Sequence, residues 1–311
     1  MVDMSTVAAG CMSANCIDHT EVLRTFLLGL GDARLLLEPE QLTTRLAVLD
    51  QLDAILGDID MAAGVSCSNY TIIAGEIIAS ANVLRSQFEA ANEQLFAAAR
   101  SELAFEGKCH TIHRWLTRSV ECQDPRPGLG FDVLDEIVSG VLRLSDPGAV
   151  SPLDSPEMVP YQPTPARHVL DLIRTLDLSS HDTLVDLGSG LGHVPLLVSM
   201  LTGSRAVGVE FQPAYVLCAQ ECAQTLKLSR AEFIAGDARD ADLSAGTVFY
   251  FFSPFKGSVL DDMLESLLRE SGKRWIRICS LGPCTRILQK QQWLRSRSQP
   301  ASEQISVFES R

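Results

Sequence analysis

Asp186-Leu-Gly188-Ser189-Gly190-Leu-Gly192 stands between an apolar run, Thr183-Leu-Val-Asp186, and a stretch of helical character. Glycine tolerates positive φ and lets backbone approach a ligand closely, and a helix starting at such a turn aims unpaired N–H groups at it. That chemistry suits a nucleotide-type cofactor. Three more apolar runs end in groups that could touch such a molecule. Ala206-Val-Gly-Val-Glu210 ends in a carboxylate able to accept both hydroxyls of a ribose, and Phe233-Ile-Ala-Gly-Asp237-Ala238 ends in a second acid. Thr247-Val-Phe-Tyr-Phe-Phe252 leads into Ser253-Pro254-Phe255. A glycine turn also occurs where a strand and a helix simply pack closely, so the acids at the following strand ends carry the argument for a site. Open α/β sheets bind ligands along this carboxyl edge.

The spacing is G-x-G-x-G behind an acid, which departs from the G-x-G-x-x-G of dinucleotide folds, and no second mononucleotide-binding half is evident. The loop resembles motif I of class I S-adenosylmethionine (SAM) methyltransferases, over roughly Tyr161 to Phe255. The resemblance implies SAM as cofactor. It implies that Asp186 and the backbone around Gly188 and Gly190 hold the methionine portion, with Ser189 and Gly192 in the same loop. It implies that Glu210 takes the ribose, Phe211 packs on the adenine face and Asp237, with Ala238, meets the adenine amino group; Phe252 completes the set. Tyr161 and Thr164 lie in a segment that closes over the cofactor in many relatives. The loop is also similar, more loosely, to that of histone-lysine methyltransferases of non-SET type, a likeness that does not extend to substrate.

Methyl transfer from a sulfonium depends chiefly on aligning the nucleophile. Relatives that methylate nitrogen carry a polar-Pro-Pro-aromatic motif after the fourth strand. Ser253-Pro254-Phe255 is a shortened match that leans toward nitrogen, with Ser253 and Phe255 as catalytic candidates; the same residues also suit a turn with a buried aromatic. An oxygen acceptor needs a base near working pH, for which His168 and His193 are the nearby histidines. The expected function is methyl transfer to a nitrogen or oxygen nucleophile of a small molecule or protein. Alternatives are a SAM-binding interaction protein without transfer activity, and a small-molecule O-methyltransferase with a histidine base.

These residues need a sheet to hold them. The expected fold class is α/β: a Rossmann-like, mostly parallel sheet with helices on both faces, preceded by an all-helical N-terminal domain. Leu42, Leu46, Leu49, Leu52, Leu56 and Ile59 recur at helical steps, as do Ile73, Ile77, Ala81, Leu84, Phe88, Ala91 and Leu95 in a segment starting near Tyr70. Further helices are expected over Thr20 to Leu30, Glu102 to Val120 (with Leu103, Phe105 and Trp115 buried) and Asp132 to Leu144. Residues 1–150 then form a helical domain for acceptor selection, a lid or dimerisation, and 151–311 the SAM-binding domain. Prolines from Pro147 to Pro165 make a semi-rigid linker or lid between them. After the site the pattern predicts a helix from Gly257 to Arg269, a fifth strand over Arg274 to Ser280, a basic helix over Thr285 to Arg297 and a closing strand over Gln304 to Glu309. Class I relatives have two strands after the fifth, the last antiparallel, and Trp293 to Ser298 is where the other could hide.

With 311 residues and 46% hydrophobic content, a substantial core is available. The 39 acidic against 26 basic residues leave a net charge of −13, which repels phosphate backbones and makes a nucleic-acid partner unlikely. Lys273, Arg274, Arg277, Arg286, Lys290, Arg295 and Arg297 nonetheless cluster without an acid, suited to solvating a helix face or to an anionic contact. No apolar run nears the roughly 20 residues of a membrane span, and no secretory leader is evident; the expectation is a cytoplasmic protein, with a homodimer possible. Nine cysteines, an odd count without a C-x-x-C pair, suggest reduced thiols. Cys109, His110, His113 and Cys122 match no zinc spacing, so no metal is expected.

Overall fold

Leucines and isoleucines at three- and four-residue steps fold the N-terminal part of the chain into helices. The computed structural model describes residues 19–63, 72–106, 110–121, 128–150 and 155–311, and they fall into two compact units that divide between Glu93 and Gln94. The first unit contains α1 (His19–Gly29), α2 (Leu42–Ala63) and the beginning of α3 (Ile72–Glu106). Leu23, Leu52, Leu56, Ile59 and Ala81 share one core, and Val48, Leu49 and Phe88 another. Arg45 is fully buried there. Its Nε donates to Asn92 Oδ1 at 2.6 Å, and its Nη1 donates to the carbonyls of Leu36 and Glu38.

The second unit opens with the end of α3, α4 (His110–Glu121) and α5 (Val133–Leu142). The span expected as one helix from Glu102 to Val120 is thus carried by two, with 107–109 outside the described residues. Leu103 is buried and the Phe96 and Trp115 rings meet edge to face at 6.0 Å, but Phe105 is 91% exposed, against expectation. It sits one residue from the helix end, where none of the described residues covers it.

Then come α6 (Ala166–Leu176), β1 (Thr183–Leu187), α7 (His193–Thr202), β2 (Arg205–Glu210), α8 (Pro213–Thr225), β3 (Ala231–Ala235), β4 (Val248–Phe251), α9 (Gly257–Ser271), β5 (Arg277–Ser280), α10 (Thr285–Leu288), β6 (Leu294–Ser296) and β7 (Ser306–Ser310). The seven strands form one sheet in the order β3-β2-β1-β4-β5-β7-β6. β1 to β5 are parallel, and β7 runs antiparallel between β5 and β6. Because side chains alternate along a strand, Val185, Leu187, Val207, Val209, Phe249 and Phe251 share one face, where Val259, Leu260, Met263, Leu264 and Leu267 of α9 cover them. α7 packs against β1, β2 and β3.

The missing strand is β6, inside the segment suspected of hiding it. The expected helix over Thr285 to Arg297 is therefore a single turn followed by a strand. The reason is a two-residue alternation: Leu294 is buried, while Arg295 and Arg297 both reach Glu309 on β7. Most of the basic run is likewise paired, Lys273 and Arg274 with Glu270 and Arg277 with Asp182. Of the apolar residues in this segment, Leu288 is buried, Trp293 packs beside the core and Ile287 is 36% exposed.

Two clamps bring the segment before α6 to the sheet. Asp135 Oδ2 accepts the N–H of Asp132 and its Oδ1 accepts the N–H of Ala166, both at 2.7 Å, so one carboxylate caps α5 and also α6, whose own N-cap is Pro165. Burial pushes its pKa up, opposed by those backbone donors. Further upstream, Val159 N–H donates to the Pro254 carbonyl at 2.9 Å and Lys256 N–H to the Glu157 carbonyl at 2.8 Å, while the Glu157 carboxylate takes Ser258 Oγ and Val259 N–H at the start of α9. The proline-rich segment is thereby stitched to the loop after β4.

Candidate active site

The carboxyl edge of β1 to β5 opens into a cavity of about 790 Å3, within the second unit. That is high in the range of roughly 300–1,000 Å3 for small-ligand sites, with room for two reactants. Of the residues singled out from sequence, Tyr161, Thr164, Asp186, Gly188, Ser189, Glu210, Phe211, Asp237, Ala238, Phe252, Ser253 and Phe255 all line it. Gly190 and Gly192 do not. A Cβ on Gly190 (φ +53) would lie 2.1 Å from the Tyr161 ring, and one on Gly192 (φ +81) 2.4 Å from Phe233. These glycines permit the turn and its packing from behind.

Asp186 is 3% exposed, and none of the described residues donates a hydrogen bond to its carboxylate. Burial, and then the nearby Glu210, raise its pKa well above the usual carboxylate range. A buried acid without a donor is costly unless a cation reaches it, so Asp186 has the chemistry to receive one. Ser189 Oγ is buried beside it, also without a partner. Glu210 accepts Gly190 N–H at 2.8 Å on Oε2 and Gln212 N–H at 2.9 Å on Oε1, leaving one acceptor position on each oxygen. Asp237 starts the turn after β3 and is held by Arg239, whose side chain and N–H lower its pKa.

Tyr161 crosses the glycine loop. Its hydroxyl and His193 Nδ1 are hydrogen-bonded at 3.1 Å, and its ring meets Tyr215 at 5.1 Å. Thr164 Oγ1 meets the buried Tyr250 hydroxyl of β4 at 3.1 Å. Burial pushes the His193 pKa down to about 4. The unfolded chain binds the extra proton from about 6.5 downward, so this contribution to stability is complete above pH 6.5 and lost as pH falls toward 4. Part of the ring is open to the cavity, where water moderates the effect to roughly 1–3 kcal/mol. Thermal melts from pH 7.5 to 4 should fall more steeply for the wild type than for His193→Gln.

His168 does not line the cavity. Its Nε2 meets the Gly128 carbonyl at 3.1 Å and its Nδ1 is buried without a partner, which removes it as a catalytic base. Ser253 adopts a left-handed backbone (φ +49), uncommon outside glycine. Its hydroxyl donates to the Leu281 carbonyl and accepts Cys284 N–H, both at 3.1 Å, tying the loop after β4 to the loop after β5. Phe255 is 7% exposed and meets Phe251 edge to face at 5.9 Å. Missed from sequence were Met158, Lys256, Pro283, Cys284 and Ile287, which also line the cavity. The end of β5 could have suggested the last three, since ligands gather at strand ends.

Residues 159–246 match the model of the family described as histone methylation protein DOT1. With the acid-glycine loop, the strand-end acids and an antiparallel β7 in one sheet, this decides the class. The chain carries a class I SAM-dependent methyltransferase domain. It is an enzyme, and SAM is its cofactor. No curated protein matches the methyltransferase chain significantly. Among solved structures it is similar to an RNA methyltransferase from Salinibacter ruber in complex with S-adenosyl-L-homocysteine, at 24% identity and a TM-score of 0.39 over 48% of this chain and 92% of that one. It is also similar to a putative methyltransferase from Escherichia coli, at 14% and 0.39 over 52% and 98%. Likenesses this distant carry nothing about the acceptor. Among the described residues of the methyltransferase no helix is long and apolar enough to cross a membrane, and no group of three His, Cys, Asp or Glu could hold a metal ion; Cys109 and Cys122 lie outside them.

Proposed function

We propose that the enzyme methylates a nitrogen or oxygen nucleophile of a small molecule or protein bound on the β4–β5 side of the cavity, with SAM on the β1–β3 side. The observation that carries this is Asp186, a buried carboxylate without a hydrogen-bond donor at the tip of β1. It suits the α-ammonium of the methionine portion, beside the unpartnered Ser189 hydroxyl and the backbone of Gly188, with Gly190 and Gly192 holding the turn from behind. The free acceptor positions of Glu210 suit the ribose hydroxyls. Phe211 then packs on the adenine, Asp237 and Ala238 meet its amino edge, Phe252 lies between cofactor and acceptor, and Tyr161 and Thr164 close the site.

SAM, when bound, supplies an electrophilic methyl group on a sulfonium. The chain's task is to orient a nucleophile and exclude water. His193, low in pKa and engaged by Tyr161, is a poor base at neutral pH, so the nucleophile arrives already unprotonated. The Ser253 hydroxyl keeps one acceptor position after its two loop bonds, which retains the lean toward an amine. Phe255 shapes the wall beside it. The DOT1 match ends at residue 246, before β4 begins at Val248. It therefore covers the cofactor half, and histone is not carried over as acceptor. The helices within residues 1–150 are assigned acceptor selection, closure or dimerisation, testable by turnover after their removal.

Glu210→Ala should weaken SAM in calorimetric titration by at least about 10- to 100-fold, the loss of a single charge-assisted hydrogen bond of roughly 1.5–3 kcal/mol. An unchanged Kd in a folded variant would remove Glu210 from the ribose site.

A further inference from the structure

The cavity is longer than its cofactor half, and its two halves differ in charge. Every acid that lines it, Asp186, Glu210 and Asp237, belongs to the ends of β1, β2 and β3. Since β4 and β5 lie beyond β1 in the sheet, the remaining wall comes from Phe252 to Lys256, the start of α9, and Pro283 to Ile287. None of the described residues lining this wall is a carboxylate; the nearest, Glu157, is engaged by Ser258 Oγ and the Val259 N–H at the start of α9. It presents Met158, Val159, Leu260, Pro283 and Ile287 around one cation, Lys256. Beside Ile287, Arg286 and Lys290 are exposed, one helical turn apart. Lys256, Arg286 and Lys290 have no ion-pair partner among the described residues, whereas the other members of the basic run are paired.

We infer that the acceptor is an amphiphile with an apolar body and a single anionic head, the body lying on the β4–β5 wall and the head beside Lys256. This rests on the cofactor reading above and deepens it. The physical reasons are complementary. An apolar wall gains about 25 cal/mol for each Å2 of apolar surface it takes from water. A cationic acceptor would lose its hydration there with no lining carboxylate in return, Glu157 being already engaged by Ser258 and Val259. The chain's net charge of −13 repels anions at long range, but salt screens that beyond about 8 Å, leaving the local cations to act.

The test uses the full chain saturated with S-adenosyl-L-homocysteine, whose own binding is measured first, so that failure of the cofactor site is seen separately. Decanoate, decylamine and a lysine-containing peptide are then titrated calorimetrically. Decanoate is expected to bind at least tenfold more tightly than decylamine, and Lys256→Glu to abolish that preference while leaving the homocysteine product's Kd unchanged. Arg286→Glu, on the exposed surface, gives a second reading of the same rim and should reduce the preference. Decylamine or the peptide binding as tightly as decanoate overturns the inference. So does no binding of decanoate to cofactor-saturated protein, or a preference that survives both charge reversals.

Discussion

Gly190→Ala should cost the enzyme about a hundredfold in SAM affinity, roughly 3 kcal/mol, and lower its melting temperature as well. Two effects combine. The left-handed backbone at φ +53 disfavours any Cβ by about 1–2 kcal/mol. In addition the new methyl would sit 2.1 Å from the Tyr161 ring, which cannot swing aside freely because it is hydrogen-bonded to His193 and packed on Tyr215. The segment over the glycine loop must lift, and the N–H of residue 190 moves away from Glu210. Gly203→Ala separates these effects. Its φ is +68 but nothing lies within 4 Å of the added carbon, so it should lose stability and keep SAM binding. Equal SAM affinity in both variants would mean that Tyr161 does not close the site.

Arg277→Met should destabilise the second unit by about 3–5 kcal/mol, the cost of leaving a buried charge without its partner. At 2–4 °C for each kcal/mol in a domain of this size, the melting temperature drops by about 10 °C or more. Arg277 is 6% exposed, donates to the Leu176 carbonyl at 2.8 Å and pairs with Asp182, tying the start of β5 to the end of α6 and to the residue before β1. Burial pushes the Asp182 pKa up, but the Ser179 N–H and hydroxyl, Arg277 and Thr247 outweigh it, so the net shift is downward. Its stabilisation is therefore present above about pH 3.9 and is lost as pH falls through the lower folded value. That acid-limb loss should shrink in Arg277→Met. Adding Asp182→Leu should recover much of the deficit, since replacing a whole buried pair by apolar groups is often nearly neutral. SAM affinity of the folded variant should be unchanged, because this cluster lies at the opposite edge of the sheet from the cavity. A melting temperature within 2 °C of wild type would show that the pair contributes little.

The residues proposed for the cofactor were legible because they sit at strand ends in a local order of apolar run, turn and acid. Asp186, Glu210 and Asp237 each follow a run that reads as a strand, and parallel strands joined by helices bring such ends to one edge. β6 was harder, since a three-residue strand carries less periodicity than the cations around it, and Arg295 and Arg297 read as a helix face until Glu309 stood opposite them. The double use of Asp135 as cap for α5 and α6, 31 residues apart, leaves no local signature. Nor does the Ser253 hydroxyl: its sequence neighbours suggest a wholly free polar group, and only the loop after β5 occupies its O–H, through the Leu281 carbonyl, and one of its two acceptor positions, through the Cys284 N–H.

By itself the sequence determined the class of the sheet, the succession of its first five strands along the chain, and the acid-glycine loop and strand-end acids that the cavity gathers, because each depends on spacing within a few residues and on the alternation of strands and helices. Tertiary structure decided which candidates meet. It removed His168 from the cavity, engaged His193 with Tyr161, set Gly190 and Gly192 behind the loop, and brought Lys256, Pro283 and Ile287 into one wall. Those outcomes depend on contacts between segments far apart in the chain, where burial and a finite supply of hydrogen-bond partners, rather than local pattern, choose the neighbour.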